Sequence, residues 1–103
     1  MRIVTQHIEE HIAEQISLVT LAKLARLSEA HFCRAFKQSS GVPPHEYHVQ
    51  QRIEKAKALL AERNASVTDV GFALGYAHTS SFGVAFRKIT GRSPRDFRRD
   101  FSR

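Results

Sequence analysis

The chain is poor in the residues that build special architectures. Its 103 residues include one cysteine, no tryptophan, three prolines and five glycines. A single thiol excludes an internal disulfide framework and suits a reducing cytosol. Little proline and glycine, beside 42% apolar residues, excludes a disordered composition. No apolar run approaches the roughly 18 residues of a membrane span, and no signal-peptide core follows Met1. Strand signals are nearly absent, since no segment alternates apolar and polar residues between glycine-rich turns. No nucleophile–base pair or carboxylate dyad is visible, so neither catalysis nor a cofactor is expected.

What is present is helical periodicity, and one motif written twice. Residues 82–97 read FGVAFRKITGRSPRDF and residues 32–47 read FCRAFKQSSGVPPHEY. Both run Phe, three residues, Phe, a cation, three residues, Gly, two residues, Pro, two residues, aromatic. The repeat extends backwards, with Ser17, Leu18, Leu21 and Ala22 matching Ser66, Val67, Val70 and Gly71 at an offset of 49. The offset becomes 50 after the turn, so the second copy holds one extra turn residue. Each copy is a helix, a short turn and a second helix, which is the helix-turn-helix unit.

The periodicity predicts seven helices and an all-α fold. Val4, Ile8 and Ile12 form the apolar stripe of the first. Ser17 caps the second, with Leu18, Leu21, Ala22 and Ala25 inward. Ser28 caps the third, which buries Phe32, Ala35 and Phe36 and ends at a left-handed Gly41. Pro44 starts the longest helix, 44–62, with Val49, Ile53, Ala56 and Leu60 on one face. RNAS (63–66) is a loop, and Ser66 with Asp69 makes a capping box for a fifth helix containing Val67, Val70 and Leu74. A sixth helix over about 79–89 buries Phe82, Ala85, Phe86 and Ile89 and closes at Gly91. Ser93 and Pro94 open a short basic seventh. The division is a first helix-turn-helix subdomain (1–43), a linker helix (44–62) and a second helix-turn-helix subdomain (63–103).

Charge is uneven along the chain. Residues 1–51 hold five Lys/Arg and five Asp/Glu, net zero, whereas residues 52–103 hold eleven against five, net +6. Such a half suits a polyanion, nucleic acid or an acidic membrane surface, or is a merely solvated basic face.

The residues resemble the DNA-binding domain of the AraC/XylS family of bacterial transcription regulators. YHVQQRIEKAKALL (47–60) is similar to that family's linker helix. VGFALGYAHTSSFGVAFRKITGRSPRDFR (70–98) resembles its C-terminal signature almost position for position. The resemblance covers essentially the whole chain. It implies two helix-turn-helix units on a rigid linker helix, with recognition helices in successive major grooves of double-stranded DNA. It also implies RNA polymerase as a partner, and a separate effector or dimerisation domain that is not within these residues. No membrane is implied. Val70–Gly71 departs from the family's usual Ile-Ala, which should loosen local packing, and Arg26 stands in a turn where a small residue is common.

With Phe32, Ala35 and Phe36 buried, the opposite face of the third helix carries Glu29, Ala30, Cys33, Arg34 and Lys37. The second unit offers Thr79, Ser80, Gly83, Val84 and Arg87, and the resemblance adds Ser81. The base-contact candidates are Glu29, Ala30, Cys33, Arg34, Thr79, Ser80, Ser81 and Val84. Arg34 leads them, because a guanidinium pairs bidentately with guanine O6 and N7. Glu29 either accepts from cytosine N4 or complements the helix dipole. Ala30 and Cys33 can offer small apolar contacts, such as to a thymine methyl. Lys37, Arg87, Lys88, Arg92 and Arg95 are phosphate candidates, with His31 and His78 as further hydrogen-bonding groups. The second face is chemically plainer, so it should lean on phosphates and DNA shape while the first reads sequence.

HIEEH (7–11) fits the inverted zinc-protease pattern H-x-x-E-H. Its helix is terminal, a third ligand is not evident, and a domain this small offers no substrate cleft. No metal is therefore expected, and His11 should pack at the edge of the Val4/Ile8/Ile12 stripe. The other class of function open to such a chain is a basic helical protein-interaction module whose helix-turn-helix units have lost DNA binding.

Overall fold

The computed structural model describes residues 1–62 and 64–101. Seven helices and no strands are found among them. They are α1 (Arg2–Glu10), α2 (Leu18–Ala25), α3 (Glu29–Ser40), α4 (Pro44–Glu62), α5 (Val67–Ala73), α6 (Thr79–Thr90) and α7 (Pro94–Phe101). The chain divides into two compact units, Met1–Gln51 and Arg52–Arg103, so the boundary falls inside α4. Arg63, the first residue of the expected RNAS loop, lies outside the described residues.

The caps explain where the short helices start. The hydroxyl of Ser17 accepts from the Thr20 amide at 3.3 Å, that of Ser28 from His31 at 3.2 Å, and that of Ser66 from Asp69 at 3.0 Å. Each satisfies one of the amides that a helix start leaves without a partner. Gly41 (φ 85°) and Gly91 (φ 81°) end α3 and α6 in the left-handed region.

In the first unit Val4, Ile8, Leu21, Ala22, Phe32 and Phe36 form the core cluster. Phe32 and Phe36 lie 5.7 Å apart between ring centroids, and Tyr47 meets Phe36 edge-on at 5.5 Å. Burial holds the pKa of the Tyr47 hydroxyl above its usual value, disfavouring the phenolate, and the Glu9 carboxylate, which accepts from it at 3.4 Å, adds to the effect. His48 is buried and its Nε2 lies 2.9 Å from the Ile12 carbonyl, so that nitrogen carries the proton and donates. This bond ties the turn after α1 to α4.

In the second unit Ile53, Ala56, Leu60, Val70, Leu74, Phe82 and Phe86 are buried. Phe82 and Phe86 stand 5.9 Å apart, and Phe97 meets Phe86 edge-on at 5.4 Å. The last aromatic of the repeated motif therefore closes over the second Phe in both copies. A hydroxyl repeats as well: Ser40 donates to the Phe36 carbonyl at 2.7 Å and Thr90 to the Phe86 carbonyl at 2.8 Å. Arg52 is buried with its guanidinium 5.0 Å from the Tyr76 ring centroid, a cation–π contact. Arg98 Nε donates to the Leu60 carbonyl at 3.0 Å, a cation at the C-terminal end of α4.

Several packing expectations are corrected. Ile12 is buried, but in the turn beyond α1, which ends at Glu10. Leu18, the first residue of α2, is exposed. Ala25, Ala35, Val49, Val67 and Ala85 are half-buried, at the margins of their cores. Ile89 is exposed, since the chain reverses at Gly91 and Phe97 takes the place on Phe86. His11 is exposed at the C-cap of α1, where its Nδ1 lies 2.8 Å from the His7 carbonyl and its ring stacks on His7 at 4.2 Å.

Gly71 does not loosen the second unit. A Cβ there would sit 2.9 Å from Cδ2 of Phe82, so the missing side chain is what allows α5 and α6 to approach closely. Arg26, by contrast, occupies the left-handed region at φ 59°, and its counterpart in the second copy is Gly75 at φ 95°. A non-glycine residue there costs about 1–2 kcal/mol, and glycine returns about 0.4–1 kcal/mol of that through the freer unfolded chain. Arg26→Gly is therefore expected to stabilise the protein by roughly 0.5–1 kcal/mol in urea unfolding. A loss of stability would show that the Arg26 side chain contributes more than its backbone costs.

Candidate nucleic-acid interface

In each unit, burying two phenylalanines one helical turn apart turns the other side of the same helix to solvent. On α3, Glu29, Ala30, His31, Arg34 and Lys37 are exposed. Glu29, Arg34 and Lys37 make no ion pair among the described residues, so their charges stand open to a ligand. Cys33 differs from the expectation that placed it on this face alone: it is half-buried and packs against the first core cluster. Its position, one residue after Phe32, lies at the edge of the buried arc rather than opposite it.

On α6, Thr79, Ser80, Ser81, Val84, Arg87 and Lys88 are exposed, and Gly83 is half-buried. Thr79 is already engaged, since its hydroxyl donates to the Thr68 hydroxyl at 3.2 Å. His78 is exposed at the N-cap of α6, with no side-chain capping bond. The equivalent Ser28 does cap α3, so the first-turn amides of α6 lack that internal acceptor.

The exposed cations of α6, the turn after it and α7 fall into two groups. Arg87, Lys88 and Arg95 have no ion-pair partner among the described residues. Arg92 is paired with Asp100, and Arg99 with Asp96 at 3.1 Å. Arg92 would have to give up that carboxylate, whose paired oxygen is buried, before it could hold a phosphate. The two units thus present unlike faces. One is a balanced unit with a single arginine at the centre of its exposed arc. The other carries net +6, with short hydroxyls and a valine in front of its cations.

The residues that sequence reasoning passed over are those that set these helices. His48, Arg52 and Arg98 face into their units from within or onto α4, and Ser40 and Thr90 fasten the ends of α3 and α6. The hydroxyl shared at offset 50 was the available signal for the last pair. Among the described residues no group of three or more His, Cys, Asp and Glu is placed to hold a metal ion. No helix among them is long and apolar enough to cross a membrane.

Comparison with known proteins matches residues 21–100 to a helix-turn-helix domain family. The probable transcriptional regulator LumQ of Photobacterium leiognathi is 36% identical over 94 residues, 91% of this chain and 38% of LumQ. The transcriptional activator RhaS of Escherichia coli O139:H28 is 35% identical over 91 residues, 88% of this chain and 33% of RhaS. The chain thus spans little more than a third of these curated relatives. The DNA-binding domain of the global transcriptional factor AdpA, solved in complex with a target DNA, matches at TM-score 0.89 and 30% identity, covering 97% of this chain and 90% of that one. Seven helices in this order, two like units and these relatives together place the chain in the AraC-type helix-turn-helix family of DNA-binding domains.

Proposed function

We propose that the chain binds double-stranded DNA sequence-specifically as the reading domain of a bacterial transcription regulator, with α3 and α6 each entering a major groove. The observation that carries this reading is the pair of exposed helix faces, one on each unit, with unpaired cations on both. The relatives' names and the DNA-bound AdpA domain support it. Arg34 reads a base edge; Glu29, Ala30, Ser80, Ser81 and Val84 line the base-facing side; Lys37, Arg87, Lys88 and Arg95 hold phosphates. Cys33, half-buried, and Thr79, whose hydroxyl is engaged with Thr68, contribute less than the residues beside them. His31, His78 and Arg92 complete the phosphate-facing set. Because the two faces are unlike, the target is two dissimilar half-sites rather than a palindrome. RNA polymerase and an N-terminal effector or dimerisation domain are the protein partners of the regulator as a whole.

Selection of bound sites from random-sequence duplexes tests the reading, and a failure to enrich any sequence would overturn it. Within the selected site, Arg34→Ala is expected to lose about 1–3 kcal/mol and to relax preference at one base pair. Arg87→Ala should weaken a matched and a scrambled duplex alike. If Arg34→Ala also weakens both equally, Arg34 is a phosphate contact.

A further inference from the structure

Two features of α6 have no explanation inside the second unit. Val84 is 70% exposed, the most exposed large apolar side chain among the described residues, and it stands in the middle of the helix's polar face. Gly83, beside it, is in the helix interior, where glycine weakens a helix. Nothing lies within 4 Å of where its Cβ would be, unlike Gly71, whose Cβ would strike Phe82. The fold therefore demands neither the valine nor the glycine.

An external surface would account for both. Val84 has Ser80 and Ser81 a turn before it and Arg87 and Lys88 a turn after it, all exposed. A small apolar contact bordered by cations suits a polyanion bearing an isolated methyl group. The major groove offers that combination, since thymine projects its C5-methyl there with phosphates on both rims. A glycine at the neighbouring position removes the side chain that would hold the helix away from the base edges. An acidic protein partner would also satisfy the cations, but it would not explain why a valine stands alone among hydroxyls.

We propose that Gly83 and Val84 form a thymine-reading element, in which the Val84 methyls pack on the C5-methyl of one thymine and Gly83 permits the close approach. The proposal rests on DNA binding as argued above and adds the base that the second unit reads.

The test uses the whole chain and the tightest duplex recovered from random-sequence DNA, with each thymine replaced in turn by deoxyuridine, which lacks only the methyl. One replacement is expected to weaken wild-type binding about fourfold, the worth of about one buried methyl. Val84→Ala should lose the same factor on the parent duplex and become indifferent to that replacement. Gly83→Ala should raise Tm by about 4 °C, as a helix-favouring change with free space, while weakening DNA binding by about tenfold. Salt-dependent binding with every replacement neutral overturns the thymine reading alone, as does unimpaired binding by Gly83→Ala. Failure to bind any duplex overturns the DNA reading itself.

Discussion

Affinity for duplex DNA is expected to fall about 10³–10⁵-fold as salt rises from about 50 to 200 mM, given neutralisation of about 6–10 phosphates. The cations that would do this are unevenly shared. Residues 1–51 are balanced, whereas residues 52–103 carry eleven Lys/Arg against five Asp/Glu. Arg87, Lys88 and Arg95 are exposed and unpaired among the described residues, so they release counterions without first breaking an ion pair. Lys37 adds one on α3, and Arg92 another once it leaves Asp100. The logarithmic slope should therefore lose about 0.9 for each phosphate-binding cation removed, so Arg87→Ala with Lys88→Ala lowers it by roughly 1.8. A titration across that salt range reads the slope directly. A slope near zero would sink DNA binding as the function and leave the basic face as mere solvation.

The largest effect on stability should come from Phe86→Ala. Phe86 is fully buried and is the central ring of a row of three, 5.9 Å from Phe82 and 5.4 Å from Phe97. Truncation removes contacts with both neighbours and leaves a cavity that two fixed rings cannot close, at a cost of about 3–5 kcal/mol. Small domains hold only about 5–15 kcal/mol in total, so the second unit would be brought near its unfolding threshold. Urea unfolding followed by helical circular dichroism measures the loss. A cost under about 1.5 kcal/mol would mean that the aromatic row is not what holds α6 and α7 together.

The sequence was most legible where a cap or a repeat marked it. Ser17, Ser28 and Ser66 announced helix starts, Gly41 and Gly91 announced ends, and the bounds of α4 were readable from Pro44 and its apolar face. Periodicity alone misled at helix ends. Ile89 continues the stripe of Phe82 and Phe86 in register but is exposed, and Ile12 is buried without being helical. Periodicity specifies which residues share a face, not whether anything covers the last turn of it. His48 and Arg52 were illegible for another reason: polar residues on an apolar face become core residues only when a partner meets them. Those partners, the Ile12 carbonyl and the Tyr76 ring, lie 36 and 24 positions away. The face of α3 was readable as a set, but the half-burial of Cys33 was not, since a one-residue rotation decides on which side a marginal position falls.

The division of α4 has a consequence for any attempt to dissect the protein. Pro44–Gln51 is fastened in the first unit by Tyr47 and His48, and Arg52–Glu62 in the second by Arg52, Ile53, Ala56 and Leu60. Both stretches fall short of the ~12–15 residues below which an isolated helix is marginal in water. A fragment cut between Gln51 and Arg52 would keep every side chain its core uses and still leave a frayed helix end, four carbonyls or four amides short of their partners. A piece meant to fold by itself should therefore carry its own part of α4 and some of the other unit's, so that the two smallest pieces overlap within α4.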